Sequence, residues 1–141
     1  MLRPDGLSQW LYFIQRLVMV HTLGLATQAK FVARRVFSEP GQEALRQIAV
    51  EQISSANPRA YRAAMRSLGL FDSRKCLSKL NNPTLVITGA NDSTVAPHRQ
   101  KMLTDNIPGA RQVVIPNAGH AVNVDQFEAF NKVLLEFLCE T

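Results

Sequence analysis

A chain of 141 residues, 46% hydrophobic and 19% charged, has the size and balance of an ordinary globular domain, and two cysteines are too few for a disulfide scaffold. Its longest apolar stretch, residues 10–26, is interrupted by Gln15, Arg16 and His21 and falls short of the ~20 largely uncharged residues that a bilayer crossing needs. With no basic start, apolar run and small-residue cleavage site in the opening residues, and with Cys76 and Cys139 far apart at no metal-like spacing, the expectation is a cytoplasmic chain with two reduced thiols.

The charge is uneven. Residues 1–80 hold twelve Lys/Arg against five Asp/Glu, and residues 81–141 hold four against six. Clustered cations can serve phosphate backbones. Here, however, Arg59, Arg62 and Arg66 fall at helical spacing opposite Tyr61, Met65 and Leu68, as the solvated face of an amphipathic helix does, and no aromatic residues interleave with the bases. Neither a nucleic-acid nor a membrane partner is expected.

The first seventy residues read as successive helices. The stretch 10–26 forms a buried helix with a stripe of Trp10, Phe13, Ile14, Leu17 and Val18, and Phe31, Val32 and Phe37 give a shorter stripe. Core packing accounts for Trp10 and Phe13 better than an acyl pocket does. Ser38-Glu39-Pro40 resembles a cap opening a third helix with Leu45, Ile48, Ala49 and Gln52. Asn57-Pro58 predicts a fourth helix, ending near Gly69: an N-cap side chain, then a residue whose missing N–H costs nothing at the first helical position.

After Asn82-Pro83 the period changes. Residues 84–88 are a short, unbroken β-prone run of the kind buried on both faces of a parallel sheet, ended by Gly89. A helix over 97–107 leads through Pro108-Gly109 to a second strand at 112–115, then to Pro116-Asn117-Ala118-Gly119-His120. A last helix over 124–138 carries Phe127, Phe130, Val133, Leu134, Phe137 and Leu138 on one face. Strand, helix, strand, helix specifies parallel strands.

Chemistry in such sheets gathers where strands end. The loop after the first strand holds Asp92, and the loop after the second holds His120. Adjacent parallel strands would bring the carboxylate to the imidazole, fixing its tautomer and favouring the imidazolium formed in general-base catalysis. Singly, each residue has a plain structural explanation; the ordered pair is the more specific signal. His21 lies in an apolar helix as a packed side chain, and His98 starts a helix. Asn123 and Val124 follow His120 at positions open to substrate. No His/Cys/Asp/Glu cluster has metal spacing, no Gly-rich turn suits a phosphate, and no cofactor is expected.

Residues 77–138 resemble the C-terminal part of the α/β-hydrolase fold. The run Pro83-Thr84-Leu85-Val86-Ile87-Thr88-Gly89-Ala90-Asn91-Asp92, with Pro97 beyond it, is similar to the family's penultimate strand and acid loop. Ile107-Pro108-Gly109-Ala110 through Asn117-Ala118-Gly119-His120 is similar to its last strand and histidine loop. The resemblance implies Asp92 as catalytic acid and His120 as base. The segment from Asn57-Pro58-Arg59-Ala60-Tyr61 to Leu70-Phe71-Asp72 looks, more loosely, like the helical cap of these enzymes. The implied architecture is a partial α/β-hydrolase fold: a helical cap region over 1–76, then a core part over 77–141 built as β-α-β-α with two parallel strands. The implied substrate is a small carboxylic ester or lactone.

The departure from the family is the nucleophile. None of the serines, at 8, 38, 54, 55, 67, 73, 78 and 93, has glycine two residues before and two after, and neither cysteine does, so no nucleophile is expected in this chain. An early Gly-rich oxyanion loop and the family's first strands are also missing from it. Three accounts stay open: part of a longer hydrolase with Met1 an internal methionine, one half of a split enzyme completed by a partner chain, or a non-catalytic interaction protein. The open strand edge suggests self-association, and little esterase activity is expected of the chain alone.

Overall fold

The computed structural model describes Pro4 and residues 6–140; Met1 and the outermost positions of both expected regions lie outside the described residues. The described chain divides into two compact units. One comprises the residues up to Arg34 together with Pro40–Ser73, and the other comprises Arg35–Glu39 with the residues from Arg74 onward.

The first unit is helical: α1 (Leu7–Thr22), most of α2 (Gly24–Val36), α3 (Glu43–Ser54) and α4 (Pro58–Leu70). The apolar stretch 10–26 is two helices, because Gly24 takes φ +79°, a left-handed conformation that glycine adopts at no steric cost and that interrupts a helix. The stripe on α1 is also shifted from the expected one. Val20 is buried with Leu25 and Met65, and Leu17, Ala56 and Tyr61 pack on them, whereas Ile14 and Val18 are exposed. On α2 the buried side chains are Leu25, Gln28, Ala29 and Ala33. Fully buried Gln28 turns its carbonyl oxygen to the Arg16 Nε and Nη2, 2.8 Å from each, which satisfies a polar group that burial would otherwise penalise.

The third helix starts at Glu43 and not at Ser38; Gly41, at φ +84°, makes the turn ahead of it. The fourth starts where the sequence indicates. The Asn57 side-chain oxygen accepts from the Arg59 N–H at 2.9 Å and the Ala60 N–H at 3.1 Å, with Pro58 in the first position. Its inner face is Tyr61, Met65 and Gly69, while Leu68 is exposed.

The second unit carries the sheet: α5 (Arg74–Leu77), β1 (Leu85–Gly89), α6 (Pro97–Asn106), β2 (Arg111–Ile115), α7 (Val122–Asp125) and α8 (Phe127–Glu140). The strands pair in parallel, with Leu85 opposite Arg111 and Gly89 opposite Ile115. Ile115, Ala118 and Val122 form its core, packed by Ile87, Val113, Ala129 and Phe130. Leu85, Val86 and Ile87 are only half-buried, so β1 is not covered on both faces within this unit. The expected last helix is two, broken at Gln126, and Phe127 and Leu138 point outward while Phe130 joins the core. Arg111 bonds Glu140 at 2.7 Å and lies over the Phe137 ring, tying the end of α8 to the start of β2. Among the described residues, no helix is long and apolar enough to cross a membrane.

Candidate active site

Because β1 and β2 run in the same direction in register, the loops that follow them leave the sheet at the same end. Hydrogen bonding continues past the strands: the Ala90 N–H donates to the Ile115 carbonyl at 2.9 Å, and the Asn91 N–H to the Ala118 carbonyl at 2.8 Å. The two loops are thereby held side by side, and Asp92 follows directly on the first.

Asp92 Oδ2 lies 3.1 Å from His120 Nδ1. The carboxylate is nearly buried, its side chain 8% exposed, while the imidazole is 37% exposed. Asp92 Oδ1 accepts from the Thr94 N–H at 2.7 Å and the Val95 N–H at 3.0 Å, and Oδ2 also accepts from Gln100 Nε2 at 3.2 Å. Burial alone would raise the Asp92 pKa, but the bonds from Val95, His120 and Thr94 stabilise the charged form more, and the carboxyl is held below its ordinary value. An ionised carboxylate only accepts, so the proton on the shared hydrogen bond belongs to His120 Nδ1. Nε2 is left as the basic nitrogen, with no hydrogen-bond partner among the described residues.

The histidine loop is braced from behind. Asn117 takes φ +55°, a turn conformation that asparagine tolerates better than most residues. Gln126 Nε2 donates to the Asn117 carbonyl at 3.2 Å, and the Gly119 N–H donates to Asp125 Oδ2 at 2.8 Å. The acid loop is braced by the segment Arg35–Glu39: Arg35 Nη2 donates to the Ser93 carbonyl at 2.9 Å, and Ser93 Oγ donates to the Arg35 carbonyl at 3.3 Å. No local pattern marks Arg35, Gln100 or Asp125 in the sequence, because each acts on a loop through a single hydrogen bond or a pair of them that only the tertiary structure brings together.

The other candidates lie apart from this pair. His21 Nδ1 bonds the Leu17 carbonyl of its own helix at 2.7 Å, and His98 is exposed at the start of α6. Asn123 and Val124 are exposed on α7. Cys76 and Cys139 are free and exposed. Among the described residues, no group of three His, Cys, Asp or Glu side chains could hold a metal ion.

A parallel strand pair that presents an aspartate and a histidine from consecutive strand ends is the arrangement of the α/β-hydrolases. The alpha/beta hydrolase fold family matches residues 17–127, and the chain belongs to that family. Over 76 residues it is 36% identical to a protein of Stutzerimonas stutzeri that carries the name putative carbamate hydrolase RutD, covering 54% of this chain and 29% of that one. A thermophilic esterase from Thermogutta terrifontis superposes with a TM-score of 0.82 at 26% identity, over 99% of this chain and 53% of its own. An enol-lactonase from Burkholderia xenovorans shares the fold with a TM-score of 0.81 at 24% identity, over 90% of this chain and 50% of its own. The chain thus spans about half the length of these solved structures, and the match to the curated relative covers less than a third of that protein.

Proposed function

We propose that this chain supplies the acid and the base of a serine-type hydrolase that cleaves a carboxylic ester or lactone, with the nucleophile and oxyanion donors carried by sequence outside these 141 residues. Residues 1–76 serve in this reading as the cap region of that enzyme. The observation that carries it is the Asp92 Oδ2 to His120 Nδ1 contact of 3.1 Å, made from consecutive strand ends and leaving Nε2 unengaged. The names of the esterase and the carbamate hydrolase, which describe cleavage at a carbonyl, support the substrate class.

In the reaction, a serine Oγ hydrogen-bonded to His120 Nε2 attacks the carbonyl carbon and transfers its proton to the imidazole. Asp92 stabilises the resulting imidazolium and holds its orientation. The imidazolium then protonates the departing alkoxide, which leaves as the alcohol, and the serine remains acylated. A water activated by the same Nε2 hydrolyses that ester and releases the acid. No serine of these 141 residues carries the Gly-x-Ser-x-Gly pattern of such a nucleophile, and in this reading the chain alone is expected to be inactive. Free thiols at Cys76 and Cys139 suit a cytoplasmic location. Each strand has one hydrogen-bonded neighbour among the described residues, which suits either a complementing chain or self-association at the open edges.

The test treats the purified chain with a fluorophosphonate and reads covalent adduct by intact mass. In parallel, the chain is joined to the nucleophile-bearing half of the related esterase and assayed on p-nitrophenyl esters. No adduct is expected on the chain alone, and the joined protein should lose roughly 1,000-fold or more of its turnover in His120→Ala. An adduct on the chain alone that disappears in His120→Ala, or turnover indifferent to His120, overturns the reading.

A further inference from the structure

A carboxylate orients a histidine only if its own plane is held. Two backbone donors, the N–H groups of Thr94 and Val95, fasten Asp92 Oδ1, and a carboxylate fastened at one oxygen can still swing the other. The second oxygen is met by two side-chain donors, His120 Nδ1 at 3.1 Å and Gln100 Nε2 at 3.2 Å. Gln100 is buried in the first turn of α6, where its own N–H bonds the Ala96 carbonyl at 3.3 Å. The other N–H of its carboxamide donates to the Val95 carbonyl at 3.0 Å. Both neighbours of Nε2 are acceptors, so the amide has one favourable orientation; reversed, its oxygen would face a carboxylate and a carbonyl.

We propose that Gln100 is a positioning residue for the Asp92–His120 pair, fixing the carboxylate plane so that Oδ2 faces Nδ1 and the imidazole keeps its proton there. The proposal rests on the reading of Asp92 and His120 as acid and base. Its chemical consequence is the tautomer. A carboxylate turned away from the ring leaves Nδ1–H without an acceptor, and the imidazole then populates the form with its proton on Nε2, which cannot accept from a nucleophile. Gln100 acts through its N–H groups and not through its volume, and this separates positioning from packing. Gln100→Met keeps an unbranched side chain of similar length without a donor. Gln100→Glu keeps the shape and sets an acceptor against two acceptors.

The experiment is NMR on the full chain labelled with 15N, above the pH at which His120 is charged. In the wild type, the Gln100 carboxamide protons should exchange with solvent about tenfold or more slowly than those of exposed Gln15 and Gln52, and His120 should show the Nδ1–H ring pattern. In Gln100→Met and Gln100→Glu the ring nitrogens should shift toward an average of the two tautomers. Wild-type Gln100 protons that exchange like those of Gln15 and Gln52 overturn the proposal, and this arm requires no variant to fold. A wild-type ring pattern retained in Gln100→Met also overturns it and assigns Gln100 to packing. A protected Gln100 in a chain whose joined form shows turnover indifferent to His120 would leave the positioning intact and sink the hydrolase reading, so the two fail separately.

Discussion

Gly89 passes so close to Gly119 that a β-carbon on Gly89 would sit 2.2 Å from the Gly119 carbonyl oxygen and 2.3 Å from that of Ala118. Both obstacles are backbone, so neither can rotate aside. The absence of a side chain at the end of β1 is therefore what lets the acid and histidine loops lie against each other. Gly89→Ala should cost about 1–3 kcal/mol of stability through the forced backbone shift. It should also lengthen the Asp92 to His120 hydrogen bond. Urea denaturation and the His120 ring nitrogen shifts check both; a variant as stable as the wild type with the same ring pattern would contradict the geometry.

Asn57 caps α4 with two hydrogen bonds from its side chain. Asn57→Ala should destabilise the chain by about 1 kcal/mol, and Asn57→Gly by only a few tenths, because glycine leaves the orphan N–H groups open to water. The ranking Ala worse than Gly is the diagnostic result in denaturant titrations. A stability unchanged in Asn57→Ala would mean that the cap contributes little.

Donors from Val95, His120 and Thr94 outweigh burial and hold the Asp92 carboxyl below its usual value of 3.8. The unfolded chain therefore binds that proton more readily than the folded one. The stabilisation from Asp92 is complete well above the ordinary aspartate value and is lost as pH falls from there through the lower, folded value. Denaturation midpoints of wild type and Asp92→Asn, followed from neutral pH into acid, should converge over that window. Parallel curves would show that Asp92 gains no net stabilisation from its four donors.

Each of β1 and β2 has an unpaired edge among the described residues, and Leu85–Ile87 of β1 are half-buried. Unpaired N–H and C=O groups along apolar strands favour pairing with another chain. The purified chain should elute above its monomer mass of 15.7 kDa and shift toward it on dilution. A concentration-independent monomer with one sharp unfolding transition would count against both the open edge and the proposed complementing partner.

The elements most legible in the sequence are those with a local cause. Asn57-Pro58 marks the start of α4 because capping acts within three residues, and the run at 84–88 marks β1 because β-branched side chains crowd a helix. The contact of Asp92 with His120 is legible because each residue follows its own strand, and the parallel register does the rest. The misplacements have equally local reasons. The apolar run 10–26 conceals a break because Gly24 is compatible with a helix until its φ turns positive, and the final apolar face conceals a break at Gln126. Periodicity also gives a face, not its centre, so the spacing points to Ile14 and Val18 where the core uses Leu17 and Val20.

What the residues determined by themselves is the kind of fold and the two strand-end loops that hold Asp92 and His120, since propensity, capping and strand punctuation act over a few neighbours. Tertiary structure alone decided what braces those loops: Gln100 on the Asp92 carboxylate, Asp125 on the Gly119 N–H, and the Arg35–Glu39 segment, 58 residues away along the chain at the Arg35–Ser93 bond, joining the sheet unit. A hydrogen bond between separate segments leaves no period in the sequence, and many polar side chains could make one. Which of them does depends on the register of β1 on β2 and on the direction in which each following helix departs.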